Sequence, residues 1–233
     1  MSSFKFKQFE VNQSGCAMKI NTDGVLLGAL ALQDRPQRIL DIGTGTGVIA
    51  LMLAQRFPAA AVVAVEIDLQ ASKTAAENFS NSAFANRLSC KHIAIEAYDD
   101  AGKFDLIVSN PPFFVNDMKS EEKRKEIARH ADSVFFASLV AKINQLLADE
   151  GVFWLVLPVK QAEEVTGIAM DYGLYLTRRI NLRSDEMKPT FRQIICFGRK
   201  AAALVETDFF IYQAPRQHTQ AYQLLLKDFF LTY

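Results

Sequence analysis

Short apolar runs alternate with amphipathic segments through the middle of this chain. The apolar runs have the length of buried strands, and in chain order they are RILDIG, AVVAVEI, SCKHIAIE, FDLIVSN and VFWLVLP. The segments with helical spacing are VIALMLAQRF, LQASKTAAENFSNS and SVFFASLVAKINQLLADEG. Continuous apolar strands separated by helices indicate a parallel sheet with both faces covered. The pattern therefore predicts an α/β fold with a doubly wound sheet.

The order of segments changes beyond Pro158. One more helix, KQAEEVTGIAMDYG, is followed by three strand-like runs with no helix between them, LYLTRRINLRS, FRQIICFGRK and TDFFIYQ. Strands that follow one another directly pair antiparallel most readily. We therefore expect a mostly parallel, seven-stranded sheet with an antiparallel edge, followed by a helix in HTQAYQLLLKDFFLTY.

The first part of the chain has a different pattern. Aromatic and basic side chains alternate there, as in an extended segment, at Phe4, Lys5, Phe6, Lys7 and Phe9. A helix, TDGVLLGALALQ, then begins at Thr22, whose hydroxyl can cap it, and Pro36 closes this unit. We predict a short N-terminal extension over residues 1–35 and one main domain over residues 36–233.

The composition is that of a globular protein with a large core, since 50% of the 233 residues are hydrophobic and 22% are charged. No apolar run reaches the roughly 18 residues of a membrane-spanning helix, and MSSFKFKQFE lacks the apolar centre of a signal peptide. The spacing of Cys16, Cys90 and Cys196 fits neither a metal motif nor a disulfide framework. We expect a cytoplasmic protein with reduced thiols and no membrane or metal partner.

The first strand of the predicted sheet ends in a glycine-rich turn, DIGTGTG, that leads directly into a helix. Gly43, Gly45 and Gly47 let the backbone turn sharply and approach a ligand closely, and the helix start offers free N–H groups. About 20 residues further on, Glu66 ends the second strand, where a carboxylate can hold ribose hydroxyls. This combination indicates a nucleoside-containing cofactor.

The spacing of the glycines distinguishes between cofactors. Dinucleotide-binding loops have the spacing G-x-G-x-x-G, whereas this loop has G-x-G-x-G and is preceded by Asp41. A carboxylate repels a pyrophosphate, but it suits S-adenosylmethionine, which has a sulfonium, an ammonium and a ribose diol. We expect Asp41 near the ammonium, directly or through water. The alternative is that Asp41 only hydrogen-bonds the loop backbone.

Through DIGTGTG and the acidic strand end VVAVEID, the chain resembles the class I S-adenosylmethionine-dependent methyltransferases, which have a Rossmann-like fold. In that family, residues just after the third strand contact the adenine. This implies Glu96 and Ala97, although the family more often has Asp there. The candidate cofactor-binding residues are Thr22, Asp41, Gly43, Thr44, Gly45, Gly47, Glu66, Ile67, Glu96, Ala97 and Asn110.

The fourth strand ends in NPPF, and the carboxyl ends of parallel strands share one edge with the glycine loop. The Asn110 side chain and the Pro111 carbonyl are two fixed acceptors for the two N–H donors of an exocyclic amino group. Phe113 can stack on the ring that carries this group. The motif resembles the Asp/Asn/Ser-Pro-Pro-aromatic signature of methyltransferases that act on adenine, guanine or glutamine. The candidate catalytic residues are Asn110, Pro111, Pro112 and Phe113, with no general base.

Three further stretches resemble a narrower family. They are FKFKQFEVNQ with KINTDGVLLGA, then IARHAD, and finally LLLKDFFLTY. In this order they resemble the bacterial tRNA adenine-N6 methyltransferases that modify adenine 37, beside the anticodon of a valine tRNA. Many relatives have Tyr where this chain has Phe113. The resemblance implies a tRNA substrate whose adenine is splayed or flipped into the pocket, and we expect a monomer or a weak dimer.

The charges are compatible with RNA binding without requiring it. The net charge is zero, unlike that of most nucleic-acid-binding proteins. Basic residues that suit phosphate contacts are Lys119, Lys123, Arg124, Lys125, Arg178, Arg179, Arg183, Arg192, Arg199 and Lys200. Acidic residues lie beside Lys119, Lys123, Arg124 and Lys125, so this segment is equally compatible with a solvent-exposed loop or helix that does not contact RNA. The candidate substrate-binding residues are Lys5, Lys7, Phe114, Arg129 and His130.

Three other functions stay open from the sequence. A glutamine-N5 methyltransferase that acts on release factors shares the NPP-aromatic motif, but it has a longer helical N-terminal domain than residues 1–35 supply. A guanine-N2 methyltransferase is the second. The third is a non-catalytic binding module that keeps the cofactor pocket, and the intact Asp41, Glu66 and Asn110 argue against it.

Overall fold

The computed structural model describes residues 3–16, 18–111 and 122–233, with the backbone alone for 122–132. The first elements are β1 (Ser3–Lys5), β2 (Glu10–Asn12), α1 (Thr22–Leu30), β3 (Arg38–Ile42), α2 (Val48–Arg56), β4 (Ala61–Glu66), α3 (Leu69–Ser80), β5 (Leu88–His92) and β6 (Phe104–Ser109). They are followed by α4 (Glu122–Leu146), β7 (Leu147–Leu157), α5 (Val159–Asp171), β8 (Tyr175–Arg183), β9 (Thr190–Gly198), β10 (Val205–Phe210), β11 (Tyr212–Ala214), β12 (Gln217–His218) and α6 (Gln220–Leu226).

The central sheet confirms the predicted α/β fold. In the part of the chain that the structure describes, it has eight strands in the order β10-β8-β9-β7-β6-β3-β4-β5. Neighbouring strands are parallel except at β9, which is antiparallel to both β7 and β8. The chain runs outward from β3 through β4 to β5, and then returns to β6 on the other side of β3. This reversal of strand order is where doubly wound sheets bind ligands.

Two details of the sheet differ from the prediction. It has eight strands instead of seven, because β10 pairs in parallel with β8. The antiparallel strand β9 lies inside the sheet, between β7 and β8, and not at its edge. The apolar pattern of a strand does not show which neighbour it joins, since that depends on the path of the connecting loop.

The N-terminal segment packs into the same hydrophobic core as the main sheet. Phe6 and Phe9 are buried there together with residues of α1, α2 and the C-terminal segment. Lys7 donates its backbone N–H to the Phe229 carbonyl at 2.8 Å, and its ammonium donates to the carbonyls of Lys227 and Tyr233. The predicted boundary after residue 35 stays a prediction, but the two ends of the chain are held together.

Three findings concern the expectations for thiols, membrane contact and metal binding. The cysteines are free thiols, and two of them, Cys16 and Cys196, are buried. No helix within the described residues is long and apolar enough to cross a membrane. In the same residues, no group of three or more His, Cys, Asp and Glu side chains is placed to hold a metal ion.

Candidate active site

A cavity of about 330 Å³ lies at the carboxyl ends of β3, β4 and β6, where the strand order reverses. This volume is in the range of pockets that hold small ligands. The predicted residues that form its walls are Gly43, Gly45, Glu66, Ile67, Glu96, Asn110 and Pro111. The glycine loop and the NPP motif therefore meet in one cleft.

The glycine loop leaves open space where a ligand can approach its backbone. Gly43 and Gly45 have φ angles of +69° and +57°, which residues with a Cβ rarely adopt. A Cβ added at either glycine would meet no other atom within 4 Å. The Gly43 N–H donates to the Val65 carbonyl at 2.9 Å, which fixes the loop against β4. The backbone at Gly43 and Gly45 is therefore open to a ligand.

Glu66 is held firmly at the end of β4. It is 8% exposed, and its Oε2 accepts from the Gly45 N–H at 2.8 Å while Oε1 accepts from the Asp68 N–H at 2.9 Å. A carboxylate oxygen can accept a second hydrogen bond. Because the Glu66 carboxylate forms part of the cavity wall, it can accept from the two hydroxyls of a ribose.

Asp41 lies behind the glycine loop and not on the cavity wall. Its side chain is fully buried, and the Thr44 hydroxyl donates to Oδ2 at 2.6 Å. No hydrogen-bond partner of Oδ1 is present in the described part of the chain. Burial raises the pKa of Asp41 from 3.8 to about 7, and Glu66 acts weakly in the same direction. A cation bound at the loop would favour the charged carboxylate.

Asn110 stands where β6 meets the N-terminal end of α1. The Ser109 hydroxyl donates to the Ile42 carbonyl at 2.9 Å and ties the end of β6 to β3. A Cβ at Gly24 in α1 would lie 3.4 Å from Asn110 Nδ2. With Nδ2 turned toward α1, Oδ1 is the atom of this carboxamide that can accept from an amino group. Pro111 is buried beside it on the cavity wall.

The charge of the cavity distinguishes between cofactors. Its walls include Glu66, Asp68 and Glu96, and none of the described residues that line it is basic. Carboxylates disfavour an anionic pyrophosphate and favour a cation. Together with the open loop and the fixed Glu66, this arrangement fits a nucleoside cofactor that carries a positive charge and no phosphate.

Comparison with known proteins gives the family. Residues 19–171 match the methyltransferase small domain. The chain is 52% identical to a Pedobacter heparinus protein named tRNA1(Val) (adenine(37)-N6)-methyltransferase, over 100% of this chain and 99% of that protein. The chain belongs to this family of methyltransferases. A Bacteroides thetaiotaomicron protein of the same name is 40% identical, over 98% of this chain and 97% of the relative.

Solved structures confirm the methyltransferase fold. A predicted O-methyltransferase from Agrobacterium tumefaciens has a TM-score of 0.67 and 16% identity, over 89% of this chain and 96% of its own. A methyltransferase from Pyrococcus furiosus has a TM-score of 0.58 and 21% identity, over 81% and 91% of the two chains. At these identities the likeness concerns the fold alone.

Several predicted cofactor residues of the methyltransferase do not reach the cavity wall. Thr22 is exposed at the start of α1, which is capped by Asn21 instead, whose Oδ1 accepts from Gly24 N–H at 2.8 Å. Thr44 is turned toward Asp41. Ala97 ends a 3₁₀ turn over Ile95–Ala97 and is not among the lining residues. Their assignment to the cofactor stays a prediction.

The cavity also has apolar walls, and Ile93 and Ile95 among them were not predicted from the sequence. Ile67, which was predicted, is 69% exposed beside the cavity, and Ile93 and Ile95 line it as well. Together they can cover a flat adenine ring. The apolar residues directly after β5 were a usable signal for this surface. Phe135 reaches the cavity from α4, and nothing in the local sequence indicates this.

The predicted substrate-side residues are partly described. Pro112, Phe113 and Phe114 lie outside the described residues, as do the side chains of Arg129 and His130. Lys5 is exposed in β1, whereas Lys7 binds the C-terminal segment. Three of the arginines on the last strands form ion pairs, which are Arg179–Glu206 at 3.3 Å, Arg183–Asp208 at 3.5 Å and Arg192–Asp23 at 3.0 Å. These pairs reduce the positive charge available for phosphates.

Gly47 serves packing in the methyltransferase. It has a φ of +85°, and a Cβ there would lie 2.5 Å from Phe79 Cε1 in α3. We expect Gly47→Ala to lower the free energy of unfolding by about 2–4 kcal/mol, from backbone strain and overlap. Gly173→Ala is the matched control, since Gly173 has a φ of +69° with open space around it. If urea unfolding shows the same decrease in the free energy of unfolding for both variants, the proposed overlap with Phe79 is contradicted.

We expect Asp41 to make the stability of the methyltransferase depend on pH. Because its pKa is about 7 in the folded protein and 3.8 ordinarily, the folded state binds the extra proton between these values. The free energy of unfolding therefore falls as the pH rises from 4 to 7, by up to about 1.4 kcal/mol per pH unit. Asp41→Asn should flatten this dependence in urea unfolding at pH 5, 6 and 7. The exposed Asp149→Asn should leave it unchanged.

Proposed function

We propose that this chain transfers the methyl group of S-adenosylmethionine to N6 of adenine 37 in the anticodon loop of a valine tRNA. The observation that carries the proposal is the meeting of Gly45, Glu66 and Asn110 in one cavity. The names of the relatives at 52% and 40% identity support the tRNA substrate. They also favour this reaction over the glutamine and guanine alternatives. A tRNA substrate in turn supports the predicted cytoplasmic location.

The residues of the cavity have separate roles in holding the cofactor. The Glu66 carboxylate accepts from the ribose hydroxyls, and the backbone at Gly43 and Gly45 permits close contact. The apolar side chains of Ile67 and Ile95 cover the adenine. Asp41, behind the loop, supplies negative charge for the ammonium. When bound, S-adenosylmethionine supplies a methyl group that is already activated by the sulfonium.

Asn110 and Pro111 position the acceptor. Asn110 Oδ1 and the Pro111 carbonyl accept the two N–H groups of the adenine amino group, and this draws its lone pair out of conjugation with the ring. The lone pair would then be directed at the methyl group. The nitrogen–carbon bond would form as the sulfur–methyl bond breaks, which would leave a neutral thioether, and one amino proton would leave to solvent. Catalysis of this kind depends on positioning and on fixed dipoles. We propose that Phe113 stacks on the base.

The proposal is tested by offering several acceptors to the enzyme with radiolabelled S-adenosylmethionine. We expect label in a tRNA1(Val) transcript and N6-methyladenosine in its nucleosides by mass spectrometry. A transcript with guanine at position 37 is the matched control and should stay unlabelled. Label in purified release factor alone, or N2-methylguanosine in the tRNA, would overturn the proposal.

A further inference from the structure

Part of the cofactor cavity is built by residues that precede the main sheet. Cys16 and Met18 form one portion of its wall. They belong to a strap between β2 and α1, consisting of residues 13–16 and 18–20. The strap is closed by a hydrogen bond from the Ile20 N–H to Gln13 Oε1 at 2.8 Å. The distance between this wall and the opposite walls of the cavity therefore depends on how the strap is attached to the rest of the molecule.

Asn78, in helix α3, makes this attachment. It is 3% exposed, and its Oδ1 accepts from the Asn12 N–H at 2.9 Å. Its Nδ2 donates to the Asn12 carbonyl at 2.9 Å and to the Thr46 carbonyl at 2.8 Å. Asn12 directly precedes the strap, and Thr46 lies in the glycine loop between Gly45 and Gly47. One buried carboxamide thus holds both the strap and the loop.

We infer that Asn78 is a positioning residue for the cofactor, which keeps the strap wall of the cavity at a constant distance from the glycine loop. The inference rests on the proposed use of S-adenosylmethionine. Because Asn78 is not itself among the lining residues, it acts through Asn12 and Thr46. A cavity whose walls are already in place loses less entropy when it binds its ligand. Without Asn78, the Asn12 N–H and the carbonyls of Asn12 and Thr46 would lose their partners, and the two walls would be held together less tightly.

The first test is Asn78→Ala in the full chain, assayed with radiolabelled S-adenosylmethionine and tRNA1(Val) transcript. We expect the KM for S-adenosylmethionine to rise about tenfold, as for the loss of one to two net hydrogen bonds. The kcat at saturating cofactor should stay within about twofold, because Asn110 and Pro111 keep their places. Asn78→Asp retains the acceptor but loses both donations, so it should raise the KM to a similar extent.

Arg87→Ala is the matched control. Arg87 donates to three backbone carbonyls, those of Ala54, Phe57 and Ala60, near the amino ends of β4 and β5, whereas the cavity lies at the carboxyl ends of the strands. Its loss should lower the unfolding temperature without changing the KM for S-adenosylmethionine. If Asn78→Ala and Arg87→Ala change stability and KM in the same ratio, Asn78 is only structural and the inference is overturned.

Gln13→Ala keeps the test decisive if the Asn78 variants do not fold. Gln13 is half-buried, and its substitution removes the hydrogen bond that closes the strap, a bond that does not involve α3. We expect a KM for S-adenosylmethionine raised about threefold to fivefold, again with unchanged kcat. An unchanged KM in Gln13→Ala and in any folded Asn78 variant would overturn the inference. Failure of the unaltered protein to bind labelled S-adenosylmethionine would instead contradict the proposed function.

Discussion

We expect Asn110→Ala to lower the kcat of methyl transfer to tRNA by about 10²–10³-fold, the loss typical of removing one preorganised polar group from a reacting centre. The end of β6 should stay in position in this variant, because the Ser109 hydroxyl still donates to the Ile42 carbonyl. It loses the carboxamide oxygen that accepts from the adenine amino group. The measurement is single-turnover transfer from labelled S-adenosylmethionine, which reports the chemical step.

Cofactor binding separates this role from a general loss of structure. The Kd for S-adenosylmethionine of Asn110→Ala should stay within about threefold of the unaltered protein, since the ribose and adenine contacts do not involve this residue. Asn81→Ala, at the exposed end of α3, is the matched amide control and should have full activity. A fully active Asn110→Ala variant would refute the role proposed for this side chain.

The second large effect is expected at Glu66. Glu66→Ala should raise the Kd for S-adenosylmethionine about 100-fold, because a hydrogen bond to a charged group contributes about 1.5–3 kcal/mol and two ribose hydroxyls lose their acceptor. The variant also releases the N–H groups of Gly45 and Asp68 that the carboxylate now accepts from. Calorimetric titration with S-adenosylmethionine measures the change.

Two further variants show how much of the lost affinity for S-adenosylmethionine comes from the contact between Glu66 and the ribose. Glu66→Gln keeps one side-chain acceptor and should lose less affinity than Glu66→Ala. Glu77→Ala removes an exposed carboxylate from α3 and should leave the Kd unchanged. Thermal unfolding without cofactor shows whether each variant is folded at the temperature of the titration. A folded Glu66→Ala variant with unaltered affinity would exclude the ribose contact.

The glycine loop and the NPP motif were predictable because their signals are local. Glycine spacing, a strand before and a helix after follow from a few consecutive residues. The place of both motifs follows from topology, since the carboxyl ends of parallel strands share an edge. For the same reason Gly43, Gly45, Glu66, Asn110 and Pro111 could be predicted to share one edge of the sheet, and the structure brings them to one cavity.

Other features depend on residues distant in the chain. Whether Asp41 faces a ligand or lies buried behind Thr44 depends on how β3, β4 and α2 pack around it. The basic pattern at the N-terminus suggested RNA contacts, but Lys7 binds carbonyls more than 200 residues away. A side chain's neighbours across the fold are not encoded in its local pattern.

The sequence by itself determined the fold class and predicted the kind of cofactor and the planar nitrogen acceptor, because each rests on a short motif or on the period of apolar residues. Only the tertiary structure decided that β10 joins the sheet in parallel and that the strap contributes Cys16 and Met18 to the cavity. It also showed that Asn78 ties this strap to the glycine loop. These features are contacts between separate segments, and their geometry exists only once the core has packed.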